Sequence, residues 1–245
     1  LHLSLRRQRQ MCIRDRANMP YGDRSREEII SLTRDSVNFL LSKDVKIIIF
    51  GCNTATAVAM STIQKEIPLQ IIGVVQSGAL AAARTTETKN VAVIGTNATV
   101  DSHSYLKEIQ YRDPEIKVSE FAQPKLAPLA EEDPDENIRN AVVSESLTPL
   151  KNADYDTLVL GCTHYPLLRD EIVAVVGQDK KIVDPADQVA QYTYNVLRRD
   201  DLFAESTAPV KHDYYTTGEA KKFTEITRQW MNDDTIVGHH VDAED

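Results

Sequence analysis

Two of the three cysteines of this chain, Cys52 and Cys162, stand in near-copies of one setting. Ile47-Ile48-Ile49-Phe50-Gly51-Cys52-Asn53-Thr54 and Leu158-Val159-Leu160-Gly161-Cys162-Thr163-His164 each run from apolar residues into Gly-Cys, then into polar residues able to start a helix. That pattern puts each thiol at the end of a buried strand, at the mouth of a cleft. The chemistry it offers is that of free thiols. Cys12, Cys52 and Cys162 form neither a Cys-x-x-Cys pair nor a zinc spacing, and an odd number argues against a disulfide framework. A lone buried cysteine is ordinarily a small hydrophobe, so it is the repetition that singles out the pair, as two opposed thiols.

The 245 residues, 42% hydrophobic and 27% charged, are enough for one large or two small buried cores. A formal net charge of -9 argues against a nucleic-acid partner or an anionic membrane surface. No apolar run approaches the roughly 20 residues needed to span a bilayer, and no secretory leader is visible. A cytoplasmic protein is expected. The only dense basic run lies between Arg6 and Arg16. Residues 1–16 show neither helical nor strand periodicity and clash in charge with the acidic remainder, so they are read as a foreign, disordered leader outside the fold, Cys12 with them.

The elements that must position the thiols follow from periodicity. Helices are expected over 26–42, 54–66 and 79–85 and strands over 45–50 and 71–75; a second series has strands over 91–95, 117–121 and 157–160 and helices over 100–110, 137–151 and 166–176. After Ile182-Val183-Asp184-Pro185, a helix over 187–199, a strand over 212–216 and a helix over 219–231 follow. Short apolar strands separated by helices imply an α/β fold with mostly parallel sheets covered on both faces, in which ligands bind beyond the carboxyl ends of the strands. Two similar series imply two similar domains facing one cleft, residues 17–79 plus 190–245 and residues 80–189. The second opens with Val91-Ala92-Val93-Ile94-Gly95 and the polar turn Thr96-Asn97-Ala98-Thr99. Its counterpart in the first should precede Tyr21 and is not found, so the first domain is expected to lack its first strand.

Pro20-Tyr21-Gly22, Gly51-Cys52-Asn53-Thr54-Ala55, Gly95-Thr96, Pro128-Leu129-Ala130-Glu131, Gly161-Cys162-Thr163-His164-Tyr165-Pro166 and Tyr215-Thr216-Thr217-Gly218 occur in one order. In this the chain resembles the cofactor-independent aspartate/glutamate racemase superfamily, and within it the glutamate racemases. The resemblance implies two cysteines on opposite faces of the substrate. Inverting a stereocentre needs a base on one face and an acid on the other, since a group returning its proton to the same face changes nothing. Cys52 and Cys162 would exchange these roles with substrate handedness, with thiol pKa values lowered by the helices they precede. His164 would be the acid/base partner of Cys162, and Glu131 the glutamate that assists there. Asn53, Thr54, Thr96, Thr99 and Thr163 would steady the substrate carboxylates and the carbanion, Tyr21 and Gly22 would form a substrate loop, and neither pyridoxal cofactor nor metal is implied. Glu131 also reads as a plain solvated acidic residue, and Asn53 and Thr54 as helix caps.

The pattern departs in three places. The family's opening strand and Asp-Ser-Gly turn are absent, which predicts an impaired or inactive chain; Gln76-Ser77-Gly78 stands where the family usually has a proline before the glycine, and Gln123 where a cysteine is common. The rival readings are a superfamily member acting on aspartate, a hydantoin or a maleate-like acid, a noncatalytic binding protein, and a thiol redox protein. The oligomeric state stays open, with a homodimer allowed.

Overall fold

The computed structural model describes residues 10–204 and 211–242. The first run of elements is β1 (Gln10–Arg14), α1 (Arg26–Leu41), β2 (Ile48–Phe50), α2 (Asn53–Val58), α3 (Met60–Ile63), β3 (Ile71–Gly73) and α4 (Val74–Thr85). The second is β4 (Asn90–Gly95), α5 (Asn97–Asp101), α6 (Ser104–Arg112), β5 (Lys117–Ala122), α7 (Leu126–Glu132), α8 (Glu136–Ser146), β6 (Thr157–Gly161), α9 (Arg169–Val176) and β7 (Lys181–Val183). Then come α10 (Pro185–Arg199), β8 (His212–Thr216), α11 (Ala220–Met231) and β9 (Gly238–His240).

Every strand pair is parallel, in sheets of order β5-β4-β6-β7, β2-β3 and β1-β8-β9. The apolar runs of β4 and β6 lack polar alternation because both faces are covered. Ala92, Ile94, Leu158 and Leu160 point to a core shared with Leu126, Val143 and Ile172 of α7, α8 and α9. Val91, Val93 and Val159 point the other way, to Val75, Ala79, Tyr105 and Ile109 of α4 and α6. β2 and β3 divide likewise, with Ile48, Phe50 and Ile71 packed towards α1 and α2 and Ile72 packed with Val189 and Val196 of α10. Each leucine or isoleucine among them is worth about 2–5 kcal/mol on truncation to alanine.

Three readings are corrected by these elements. The segment 1–16 does not stand wholly outside the fold. Residues 10–14 form β1, with Cys12 opposite Tyr214 and Arg14 opposite Thr216; residues 1–9 lie outside the described residues. Periodicity misses β1 because a five-residue strand is specified by the ladder of its neighbour more than by its own pattern. Second, the boundaries at 79/80 and 189/190 fall inside α4 and α10. These two helices pack on each other, and a boundary belongs where few contacts cross. Third, the helix expected over 100–110 is two helices, broken by His103 in the left-handed region at φ 52°, and the one over 54–66 is interrupted at Ala59.

Gly161 and Gly51 close equivalent strands in unequal surroundings. β6 has β4 on one side and β7 on the other, whereas β2 pairs only with β3 among the described residues. A Cβ on Gly161 would lie 2.6 Å from the Ile94 carbonyl oxygen, and one on Gly51 would meet nothing within 4 Å.

A candidate acid/base site built on two cysteine turns

Cys52 is the N-cap of α2, where its sulfur accepts the Ala55 amide hydrogen at 3.5 Å, the position a cap side chain fills in satisfying a free helix donor. Cys162 follows β6 and is buried, its carbonyl accepting the Tyr165 amide hydrogen at 3.1 Å. The expectation of lowered thiol pKa values is overturned. Burial pushes the Cys52 thiol up, against the opposing pull of the Ala55 and Thr54 amides and the Arg14 charge. Burial pushes Cys162 up to about 12, helped by the charges of Cys52 and Glu131 and opposed by the amides of His164 and Tyr165. A short helix's donors do not repay a sulfur for the loss of water. A Cys52 charge is among the causes that raise Cys162, which puts Cys52 within electrostatic reach of the second sulfur.

This shift has a consequence for stability. On unfolding, Cys162 returns towards an ordinary 9.0. Its contribution is fully present below pH 9 and is lost as the pH rises towards 12, because the unfolded chain gives up a proton that the folded chain retains. In denaturant titrations Cys162 should contribute about 1.4 kcal/mol per pH unit to the fall in stability over that window. Cys162→Ser should lose that component of the slope, and an unchanged slope would contradict the assignment.

Beside Cys162 a relay of three groups is assembled. Cys162 Sγ is 3.6 Å from His164 Nδ1, and His164 Nε2 is 2.8 Å from Glu131 Oε1. His164 Nε2 meets both the Glu131 carboxylate, which only accepts, and Arg14 Nη2 at 3.0 Å, which only donates, so these contacts by themselves do not fix the tautomer. Burial alone would raise the Glu131 carboxyl, but the His164 hydrogen bond and the charges of Arg14 and Arg16 hold it below its usual range. Arg14 donates to Glu131 at 2.5 Å and Arg16 at 3.3 Å. Trp230 of α11 closes the cluster, its ring 5.0 Å from the Arg14 guanidinium carbon and edge-on to His164 at 5.8 Å.

On the other side the hydroxyls of Thr54, Thr96 and Thr99 form a triangle, with oxygens 2.9, 3.3 and 3.0 Å apart. Thr54 comes from α2, whereas Thr96 caps α5, so the triangle joins the two Gly-Cys halves. Gly22 packs on it: a Cβ there would lie 2.8 Å from Thr96 Cβ, and the Gly22 carbonyl accepts from Ala98 N at 3.1 Å. Tyr21 donates to Asp15 Oδ2 at 2.7 Å, and Thr217 donates to Asp15 Oδ1 at 2.6 Å. Asn53 is buried and accepts from the Tyr105 hydroxyl at 2.7 Å. Thr163 is exposed and joins none of these hydrogen bonds among the described residues.

Arg14, Asp15, Arg16, Tyr105 and Trp230 were not singled out from sequence. The first three sit in the segment set aside as foreign, and neither Tyr105 nor Trp230 belongs to any motif. Glu131, which also read as a plain solvated residue, lies near the C-terminal end of α7 with its carboxylate turned to His164. Among the described residues no three His, Cys, Asp or Glu side chains are grouped to hold a metal, and no helix is long and apolar enough to cross a membrane.

Parallel α/β halves that each end a strand in a Gly-Cys turn, one of them beside an acid/base relay, are the architecture of an isomerase. The family model described as Asp/Glu/Hydantoin racemase matches residues 4–193, and the chain belongs to that family. Among curated relatives, the glutamate racemase of Lactobacillus johnsonii is 97% identical over 95% of this chain and 88% of its own length. That of Lactobacillus acidophilus is 61% identical over 95% and 87%. A solved glutamate racemase isoform from Bacillus anthracis superposes with a TM-score of 0.93 at 34% identity, covering 98% of this chain and 90% of its own. A glutamate racemase from Francisella tularensis, solved with D-glutamate, gives 0.92 at 26% identity over 100% and 91%.

Proposed function

We propose that the chain is a cofactor-independent isomerase interconverting L- and D-glutamate by two-base proton transfer between Cys52 and Cys162. What supports this reading is the chain of contacts from Cys162 Sγ to His164 Nδ1 at 3.6 Å and from His164 Nε2 to Glu131 Oε1 at 2.8 Å, with a second Gly-Cys turn whose sulfur caps α2. His164 takes the Cys162 proton, giving a thiolate beside an imidazolium steadied by Glu131. That thiolate removes the α-proton, so the C–H bond breaks, an S–H bond forms, and the electron pair stays on the carbon. The Cys52 thiol then gives its proton to the opposite face. With the other enantiomer the roles reverse. Desolvation, which makes each thiolate scarce, also makes it a stronger base towards a weakly acidic C–H bond.

The hydroxyl triangle and the α2 amides supply donors for a carboxylate and for charge developing at the α-carbon. The same reading puts the reaction in the cytoplasm, with D-glutamate passing to peptidoglycan synthesis. The test is incubation with L-glutamate in deuterated water, followed by proton spectra and chiral separation. Loss of the α-proton signal together with appearance of the D-enantiomer is expected. Neither event, or exchange with the L-configuration fully retained, would refute the proposal.

A further inference from the structure

Tyr105 is fully buried on α6, yet its hydroxyl reaches the start of α2, where it donates to Asn53 Oδ1 at 2.7 Å. Its ring and hydroxyl also face two glycines on other elements. An ideal Cβ on Gly161, the residue before Cys162, would lie 3.2 Å from the ring. One on Gly78 of α4 would lie 3.0 Å from the hydroxyl oxygen and 2.9 Å from Pro185 at the start of α10. One phenol is therefore wedged between the residue after the first site cysteine and the residue before the second. Gly78 and Gly161 leave the room it needs.

An asparagine amide has an accepting and a donating end, and its hydrogen-bond partners decide which way it faces. With Oδ1 engaged by Tyr105, the donating end is left for another group: no described residue accepts from Asn53 Nδ2. The geometry points to Tyr105 as a positioning residue for substrate binding, one that locks the Asn53 amide with its NH2 group turned to a carboxylate of the substrate and ties the two cysteine turns together. It touches no reacting atom and acts through Asn53. This rests on the proposed glutamate reading.

The test is a double-mutant cycle on the full chain, read by calorimetric titration with D-glutamate and by turnover in both directions. Tyr105→Phe removes one hydroxyl and keeps the ring. It should raise Kd and KM by about three- to tenfold, the usual worth of one buried hydrogen bond, while kcat changes less. In an Asn53→Ala background the same change should have no further effect. An unchanged Kd in Tyr105→Phe, or an equal further rise on top of Asn53→Ala, overturns the proposal.

Should Tyr105→Phe fail to fold, Asn53→Asp decides the matter. It keeps an acceptor for Tyr105 and exchanges the donor for a second oxygen, so it should weaken D-glutamate binding more than Asn53→Ala; equal or weaker loss overturns the proposal. Binding and turnover separate the two readings. A chain that binds D-glutamate through this cycle without exchanging its α-proton would refute racemisation and leave the role of Tyr105 standing.

Discussion

Replacing Cys52 or Cys162 by serine should lower glutamate racemisation by about 10²- to 10⁴-fold in both directions, the range over which a positioned proton-transfer group acts. A hydroxyl is far less acidic than a thiol, so serine keeps the shape and loses the proton traffic. The two variants should also fail differently. With one sulfur left, only the enantiomer whose α-hydrogen faces that sulfur can still exchange with solvent, and it does so with retention. Cys52→Ser and Cys162→Ser should therefore show residual exchange on opposite enantiomers. Cys12→Ser, an exposed position on β1, should leave both activities unchanged. Turnover from L- and D-glutamate in deuterated buffer reads all three, and a serine variant that racemises normally would end the two-base account.

The second large effect concerns two glycines whose sequence settings look alike. Gly161→Ala should destabilise the fold by about 2–4 kcal/mol, because the new methyl group meets the Ile94 carbonyl oxygen at 2.6 Å in a neighbouring strand of the same sheet. Backbone in the middle of a ladder cannot swing aside as a side chain can. Separating β4 from β6 would break hydrogen bonds in the strand pair that carries both faces of the larger core. Gly51→Ala should be neutral or stabilise by up to about 1 kcal/mol, since nothing lies within 4 Å of its Cβ and alanine restricts the unfolded chain. Denaturant midpoints of the two variants test this directly. Equal losses would mean that β2 is as enclosed as β6.

That contrast marks the border between what the sequence by itself determined and what only the tertiary structure decided. Composition and apolar periodicity were enough for an α/β fold with parallel sheets, since β4 and β6 must bury both faces and show it as unbroken apolar runs. The repeated Gly-Cys turns singled out Cys52 and Cys162 as candidates, and the motif order was enough for the superfamily. Helix breaks were not legible. Nothing in the residues around His103 announces a left-handed break, because a single positive φ is imposed by packing.

The thiol pKa shifts went the opposite way to the sequence expectation. A helix start is visible in a sequence, whereas the degree to which a sulfur is removed from water is a property of everything folded over it. Arg14, Trp230 and Glu131, which surround His164, lie on β1, α11 and α7, and only their folding together reveals the relay. Tyr105 was silent for the same reason. Local sequence specifies the strand that ends in a cysteine. What the cysteine can do is set by long-range contacts, whose partners no local pattern encodes.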